Sequence, residues 1–196
     1  RGTMLDSGRQ FAQVCAQVLP AREPVYEFGS YLVPDMAIDA DLRPLFGGQR
    51  FVGADIRPGP GVDQVLDLQE LALPDGSIGT AIAIDTLEHV ERPWQAFSEL
   101  HRVLAADGIL ILTVPFNFVI HAHPDDYWRF TPQAVHSLLR PFAQTWVRQY
   151  GLTDDPVSVL AVASKGVLAP SVWEDLDAAM EPLITLWDAV TRNWPG

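Results

Sequence analysis

The chain is poor in cysteine, in basic residues and in long apolar runs. After the first glycine of its most loop-like strand end, it also lacks the further glycines of a nucleotide-binding loop. Each shortage excludes something. A lone Cys15 leaves no internal disulfide and no multi-thiolate zinc site, and its setting in FAQVCAQVL puts it on a buried apolar face, so a reducing cytoplasm is the expected setting. With 13 basic residues against 25 acidic ones, the net charge of -12 repels phosphate backbones and anionic bilayers, which argues against nucleic acid or a membrane surface as a partner. No stretch approaches the roughly 20 apolar residues of a membrane span, and the amino terminus shows no basic-then-apolar export signal. Finally, EFGSYLVPD cannot supply G-x-G-x-x-G, which places a nicotinamide-dependent oxidoreductase last among the readings.

What is present is a regular alternation. At 196 residues with 48% hydrophobic content the chain has the material for one domain of ordinary size spanning 1–196, with a core over 20–165. Phe11, Val14, Cys15, Val18 and Leu19 recur at helical spacing, predicting a helix over 7–19, and VYEF then reads as a short buried strand. RFVGAD (50–55), QVLDL (64–68) and TAIAID (80–85) follow as strands. TAIAID has no polar alternation, the pattern of a parallel sheet covered on both faces. Trp94, Phe97, Leu100, Val103 and Leu104 form one helical stripe that begins at Pro93 and stops at Asp107-Gly108, leading into the strand GILILTVP. After the loop 116–130, Thr131 and Pro132 open a helix to about Leu139. TWVRQYG and VSVLAVASK close the sheet, and a helical tail over 171–194, with a break at Pro182, covers the core or a homodimer partner. Strands alternating with helices through short loops call for an α/β doubly wound, Rossmann-like sheet with ligands at the carboxyl ends of the strands.

Four of the five strand ends carry a carboxylate: Glu27, Asp55, Asp67 and Asp85. Gly29 lets backbone approach a ligand closely, and Asp55 stands where a ribose diol is bound, the geometry of a nucleoside-containing cofactor. The second acid, Glu27, repels a pyrophosphate but suits an ammonium and a sulfonium. This favours S-adenosylmethionine.

On these residues the stretch from Val25 to Pro115 resembles a class I S-adenosylmethionine-dependent methyltransferase, with EFGS for its glycine motif, GADI for its ribose acid, and DTLEHVERPWQAFSELHRVLAADGILILTVP for its fourth and fifth motifs. The later HPDDYWRFTPQAV is similar to a small-molecule subgroup, and the likeness runs over roughly residues 25 to 165. The resemblance implies a mostly parallel sheet of order 3-2-1-4-5-7-6 with an antiparallel strand near the carboxyl terminus. It also implies that Glu27, Gly29 and Ser30 line the methionine end, Asp55 and Ile56 the ribose and adenine, Asp67 and Leu68 the adenine edge, and Asp85 and Thr86 the floor beneath the sulfonium. The chain departs from the family where Tyr31, Leu32 and Val33 replace two glycines, with Pro34 and Asp35 expected to start the next helix.

Methyl transfer asks the protein to position an acceptor, exclude water and, for a hydroxyl, remove a proton. His89, His121, His123 and Asp126 are the candidate bases, with His89 first because it follows the strand that ends beneath the sulfonium. Asp85, Glu88 and His89, with His121 or His123, also have the spacing of a divalent-metal cluster, although capping and cavity-lining roles without metal are the favoured reading. Tyr127, Trp128 and Arg129 in the D-D-Y-W-R-F segment are expected to form a lid over a small-molecule substrate. The expectation is thus a small-molecule methyltransferase acting at oxygen or nitrogen of a sugar or secondary metabolite, with a non-catalytic interaction module of the same fold as the alternative.

Overall fold

The computed structural model describes residues 4–33, 40–121 and 124–192. Seven strands form one sheet in the order β3-β2-β1-β4-β5-β7-β6. They are β1 (Val25–Phe28), β2 (Phe51–Asp55), β3 (Gln64–Val65), β4 (Ile78–Ile84), β5 (Leu104–Pro115), β6 (Gln144–Gly151) and β7 (Pro156–Ser164). The pairs from β3 to β5 are parallel, while β7 runs antiparallel to both β5 and β6. This is the topology expected from the resemblance.

Side chains that alternate along the strands build two cores. Ile109 and Ile111 of β5 point to the face covered by α1 (Met4–Val18) and by α4 (Pro170–Arg192), joining Phe11, Cys15, Leu176 and Met180. Leu110 and Leu112 point the other way, toward Phe97 and Leu100 of α2 (Pro93–Val103) and Val135 of α3 (Pro132–Leu138). The same alternation places Val25 on the α1 side and Tyr26 and Phe28 on the α2 side, so Glu27 also faces α1. Thr131 caps α3 as expected, its hydroxyl accepting from the Ala134 amide at 3.1 Å.

Several boundaries differ from the sequence reading, each for a local reason. β3 stops at Val65 because Asp67 turns the chain out of the sheet, its Oδ1 accepting from the Gln69 amide at 2.8 Å and its carbonyl from Glu70. α2 ends at Val103 rather than at Asp107-Gly108. The chain joins β5 at once, and those two residues lie in an irregularity where pairing jumps from Ile78–Leu104 to Thr80–Ile109. A short 3₁₀ turn, Arg43–Phe46, went unread; Pro44 at its start is the signal. α4 does not break at Pro182. The ring sits on the exposed side, where the freed carbonyl of Ala178 meets solvent instead of the core. The expected helix start at Pro34 and Asp35 lies outside the described residues.

α4 is tied to the sheet by buried apolar side chains and by hydrogen bonds to β6. Leu176 and Met180 are fully buried, and Asp177 accepts from Trp146 Nε1 and from Arg148 Nη2, both at 2.7 Å. Leu176→Ala should therefore lower the unfolding free energy by about 3 kcal/mol, as for other fully buried leucines, in a urea titration followed by circular dichroism. A change under about 0.5 kcal/mol would show the tail to be detached in solution.

Candidate active site

A sheet of this order takes ligands in the crevice over the carboxyl ends of its parallel strands, here the ends of β1, β2, β4 and β5. At the tip of β1, Gly29 has φ 85°, and a Cβ built on it would stand 2.3 Å from Thr86 Oγ1. Only glycine fits. The Thr86 hydroxyl lies within hydrogen-bonding distance of the carbonyls of Phe28 at 3.0 Å and Ile84 at 2.9 Å, which ties the β1 and β4 tips together. Ser30 is buried beside them, and its Oγ finds no hydrogen-bond partner among the described residues.

The structure accounts for the two missing glycines. Tyr31 lies against Gly59, where a Cβ would come within 2.2 Å of its ring, and Leu32 packs on Gly61. The Leu32 amide donates to the Pro60 carbonyl at 2.9 Å, and the Arg57 guanidinium lies 4.4 Å from the centre of the Tyr31 ring. The glycines that allow close approach here belong to the RPGPG loop after β2, which takes up the bulky side chains of the first loop. Asp55 at the tip of β2 accepts from Arg57 N and Nε on Oδ1, while Ile56 beside it is half exposed. Leu68 is buried, and Asp67 serves the turn described above.

Two acids below the crevice are held in uncommon states. Glu27 is buried, and burial first, then the negative field of Asp41, pushes its pKa up to about 8, against the pull of Arg43 and Arg9. Asp85 occupies the left-handed region with φ 46°, a conformation that costs free energy for a residue with a Cβ. Thr113 holds it there. The Asp85 amide donates to the Thr113 carbonyl at 3.1 Å and lies 3.0 Å from Thr113 Oγ1, which itself donates to Asp85 Oδ1 at 2.8 Å. Burial raises the Asp85 pKa to about 6.

From Asp85 the chain enters a single 3₁₀ turn, Leu87–His89, that buries Glu88 completely and turns His89 toward the loop 116–130. That loop is fastened to it from above. The Glu88 carbonyl accepts from the amides of Tyr127 at 2.8 Å and Trp128 at 3.2 Å, and Trp128 Nε1 donates to the Glu91 carbonyl. His89 Nδ1 donates to the Asp125 carbonyl at 2.5 Å, and the rings of His89 and His121 meet edge to face with centres 4.8 Å apart. His123 lies outside the described residues.

Some residues of the expected constellation are held by one another. Arg129 donates to both oxygens of Asp126, at 2.5 and 2.7 Å, and to the carbonyls of Phe118 and Val119. It clasps the loop. Asp126, read as a candidate base, is held well below the usual carboxylate range by that guanidinium and accepts from the His121 amide at 2.8 Å. It positions His121. Tyr127 and Trp128 remain half exposed at the mouth.

Sequence reading missed the wall opposite. Gly8 of α1 passes so close that a Cβ would stand 2.6 Å from Ile84 Cγ2 and 3.6 Å from Asp85 Oδ2, and the hydroxyls of Ser7 and Tyr150 hydrogen-bond at 2.8 Å. A glycine inside an otherwise helical pattern was the available signal.

Comparison with known proteins bears on the fold. Residues 46–112 match the family model described as a methyltransferase domain. Solved structures share the fold at low identity. A 1,6-didemethyltoxoflavin-N1-methyltransferase from Burkholderia thailandensis, solved with 1,6-didemethyltoxoflavin and S-adenosylhomocysteine, is 18% identical with a TM-score of 0.59 over 82% of this chain and 79% of its own. The YcgJ protein from Bacillus subtilis is 15% identical with a TM-score of 0.58, over 81% of this chain and 99% of its own. The PH0226 protein from Pyrococcus horikoshii is 17% identical with a TM-score of 0.57, over 79% and 87%. No curated protein matches the chain. Fold and family match together support an enzyme of the methyltransferase kind.

The buried Glu27 generates a prediction. Its proton is retained in the folded state up to about pH 8 but leaves near pH 4.5 in the unfolded chain, so between these values folding takes up a proton and stability falls as pH rises. Glu27→Gln should match the parent near pH 4.5 and exceed its melting temperature increasingly up to pH 8, then hold a constant margin. Melting curves over that range check it, and a margin independent of pH would place the Glu27 pKa near its ordinary value.

Proposed function

We propose that the protein transfers a methyl group from S-adenosylmethionine to oxygen or nitrogen of a small polar acceptor. The observation that carries this reading is the row of acids and the glycine at the strand ends: Glu27, Gly29, Asp55 and Asp85 stand at or just after the carboxyl ends of the neighbouring strands β1, β2 and β4. The residues fit the cofactor. Gly29 presents bare backbone, the unpartnered Ser30 hydroxyl can donate to a carboxylate, and Asp55 has its Arg57 contacts on one oxygen alone. Bound there, the cofactor supplies an electrophilic methyl on a sulfonium.

The chain's own residues do the rest. Asp55 and Ile56 hold the ribose and adenine, Glu27 and Ser30 the methionine end, and Asp85 and Thr86 form the floor. The acceptor enters between the His89–His121 pair and the wall made by Gly8, Ser7 and Tyr150, with Tyr127 and Trp128 at the mouth excluding water. With Nδ1 committed to the Asp125 carbonyl, His89 offers Nε2 to the acceptor proton. The relative with bound 1,6-didemethyltoxoflavin supports a small acceptor, and the net charge of -12 opposes a polyanionic one.

Two experiments test this reading. Calorimetric titration with S-adenosylmethionine should give micromolar binding that Asp55→Ala weakens at least tenfold. Between pH 6 and 8 binding should tighten with pH and release a proton, because the cofactor's ammonium draws Glu27 into its charged form. No binding at any pH would overturn the reading in favour of a non-catalytic module. Once an acceptor is found, His89→Ala should lose about 10²–10⁴-fold in turnover while cofactor affinity is kept. Full retained activity would remove His89 from the mechanism.

A further inference from the structure

We propose that Glu88, His89 and His121 form a binding site for one divalent transition-metal ion. Each offers a ligand atom, and the three atoms lie within 4.8 Å of one another, close enough for a single ion to reach all of them after small side-chain adjustments. The set is one carboxylate and two imidazoles brought together from two separate segments, the turn after β4 and the loop after β5.

The strongest sign is Glu88 itself. Its side chain is fully covered, and neither carboxylate oxygen has a hydrogen-bond partner among the described residues. A buried carboxyl without partners costs free energy whichever way it is protonated. The nearest cationic candidate, His89 Nε2, stands 3.7 Å from Oε1, beyond hydrogen-bond reach. An ion between them satisfies both.

The surroundings hold both rings as metal-binding histidines are held. The Nδ1 of His89 donates to the Asp125 carbonyl, and the Nδ1 of His121 faces Asp126 Oδ2 at 3.1 Å and the Val119 carbonyl at 3.2 Å. Each ring is thus oriented by an outer partner, and His89 turns Nε2 toward Glu88 Oε1, 3.7 Å away. Asp126 is in turn fixed by Arg129, so the carboxylate behind His121 is itself immobilised. Two nitrogens and one oxygen suit cobalt, zinc, iron or manganese better than magnesium or calcium, which prefer all-oxygen shells. Three protein ligands leave coordination positions for an acceptor hydroxyl.

The role of such an ion rests on the methyl-transfer reading: it would lower the pKa of a bound hydroxyl, and His89 would then serve as ligand rather than as base. The binding itself does not depend on that reading. Cobalt(II) is the probe, added to chelator-treated, desalted protein without S-adenosylmethionine and followed by visible absorption and calorimetry. One equivalent should bind and give d–d bands. Glu88→Gln, which keeps the shape of the side chain, and His121→Ala should each weaken binding more than about tenfold. His136→Ala, on the exposed face of α3, should leave it unchanged. Absence of cobalt binding at millimolar concentration, or equal binding by parent and Glu88→Gln, would overturn the proposal. Because no cofactor is present, a protein that binds cobalt but not S-adenosylmethionine refutes the methyl-transfer reading alone.

Discussion

The crevice depends on how Thr113 holds Asp85 in a left-handed turn. A strand leaving a parallel sheet ordinarily continues outward, but the three close contacts between these residues bend the chain immediately after Ile84. The bend pulls Leu87 into the core and puts Glu88 beneath the loop 116–130. It also leaves the Thr86 hydroxyl under Gly29. Strain at one residue thus couples the tip of β1 to the loop after β5, and the surrounding sheet supplies the rigidity that keeps the strain in place.

Much of the fold was legible because parallel strands buried on both faces read as unbroken apolar runs. TAIAID and GILILTVP announce themselves in this way, as do the helical stripe from Pro93 and the Thr131-Pro132 cap. The errors fall where side chains, not periodicity, set the boundary. Asp67 ends β3 by hydrogen-bonding to the chain just ahead, a choice that hydrophobic pattern cannot register. The run through Pro182 depends on which side of α4 faces solvent, a tertiary fact.

At the candidate site, strand-end logic reads the acids because the sheet's direction fixes where loops leave the strands. It could not separate residues that face the crevice from residues that brace it. Arg129 and Asp126, read as a substrate contact and a candidate base, also hold each other within one short loop. Tyr31 and Leu32 looked like obstructions, yet their partners, Gly59 and Gly61, are supplied by a different loop. Pairing across distant segments is invisible to a reading that proceeds along the chain. Gly8 and Tyr150 were missed for the same reason.

The Glu88 carbonyl, which receives the amides of Tyr127 and Trp128, has a consequence for how such a protein can diversify. This seam between the loop and the sheet is made by main-chain atoms, which every residue but proline supplies alike. Side chains at 127 and 128 can therefore be exchanged while the seam persists, and the tips of β1 and β2 lie outside the change. The rim can therefore change in shape and polarity while the backbone beneath it stays constant.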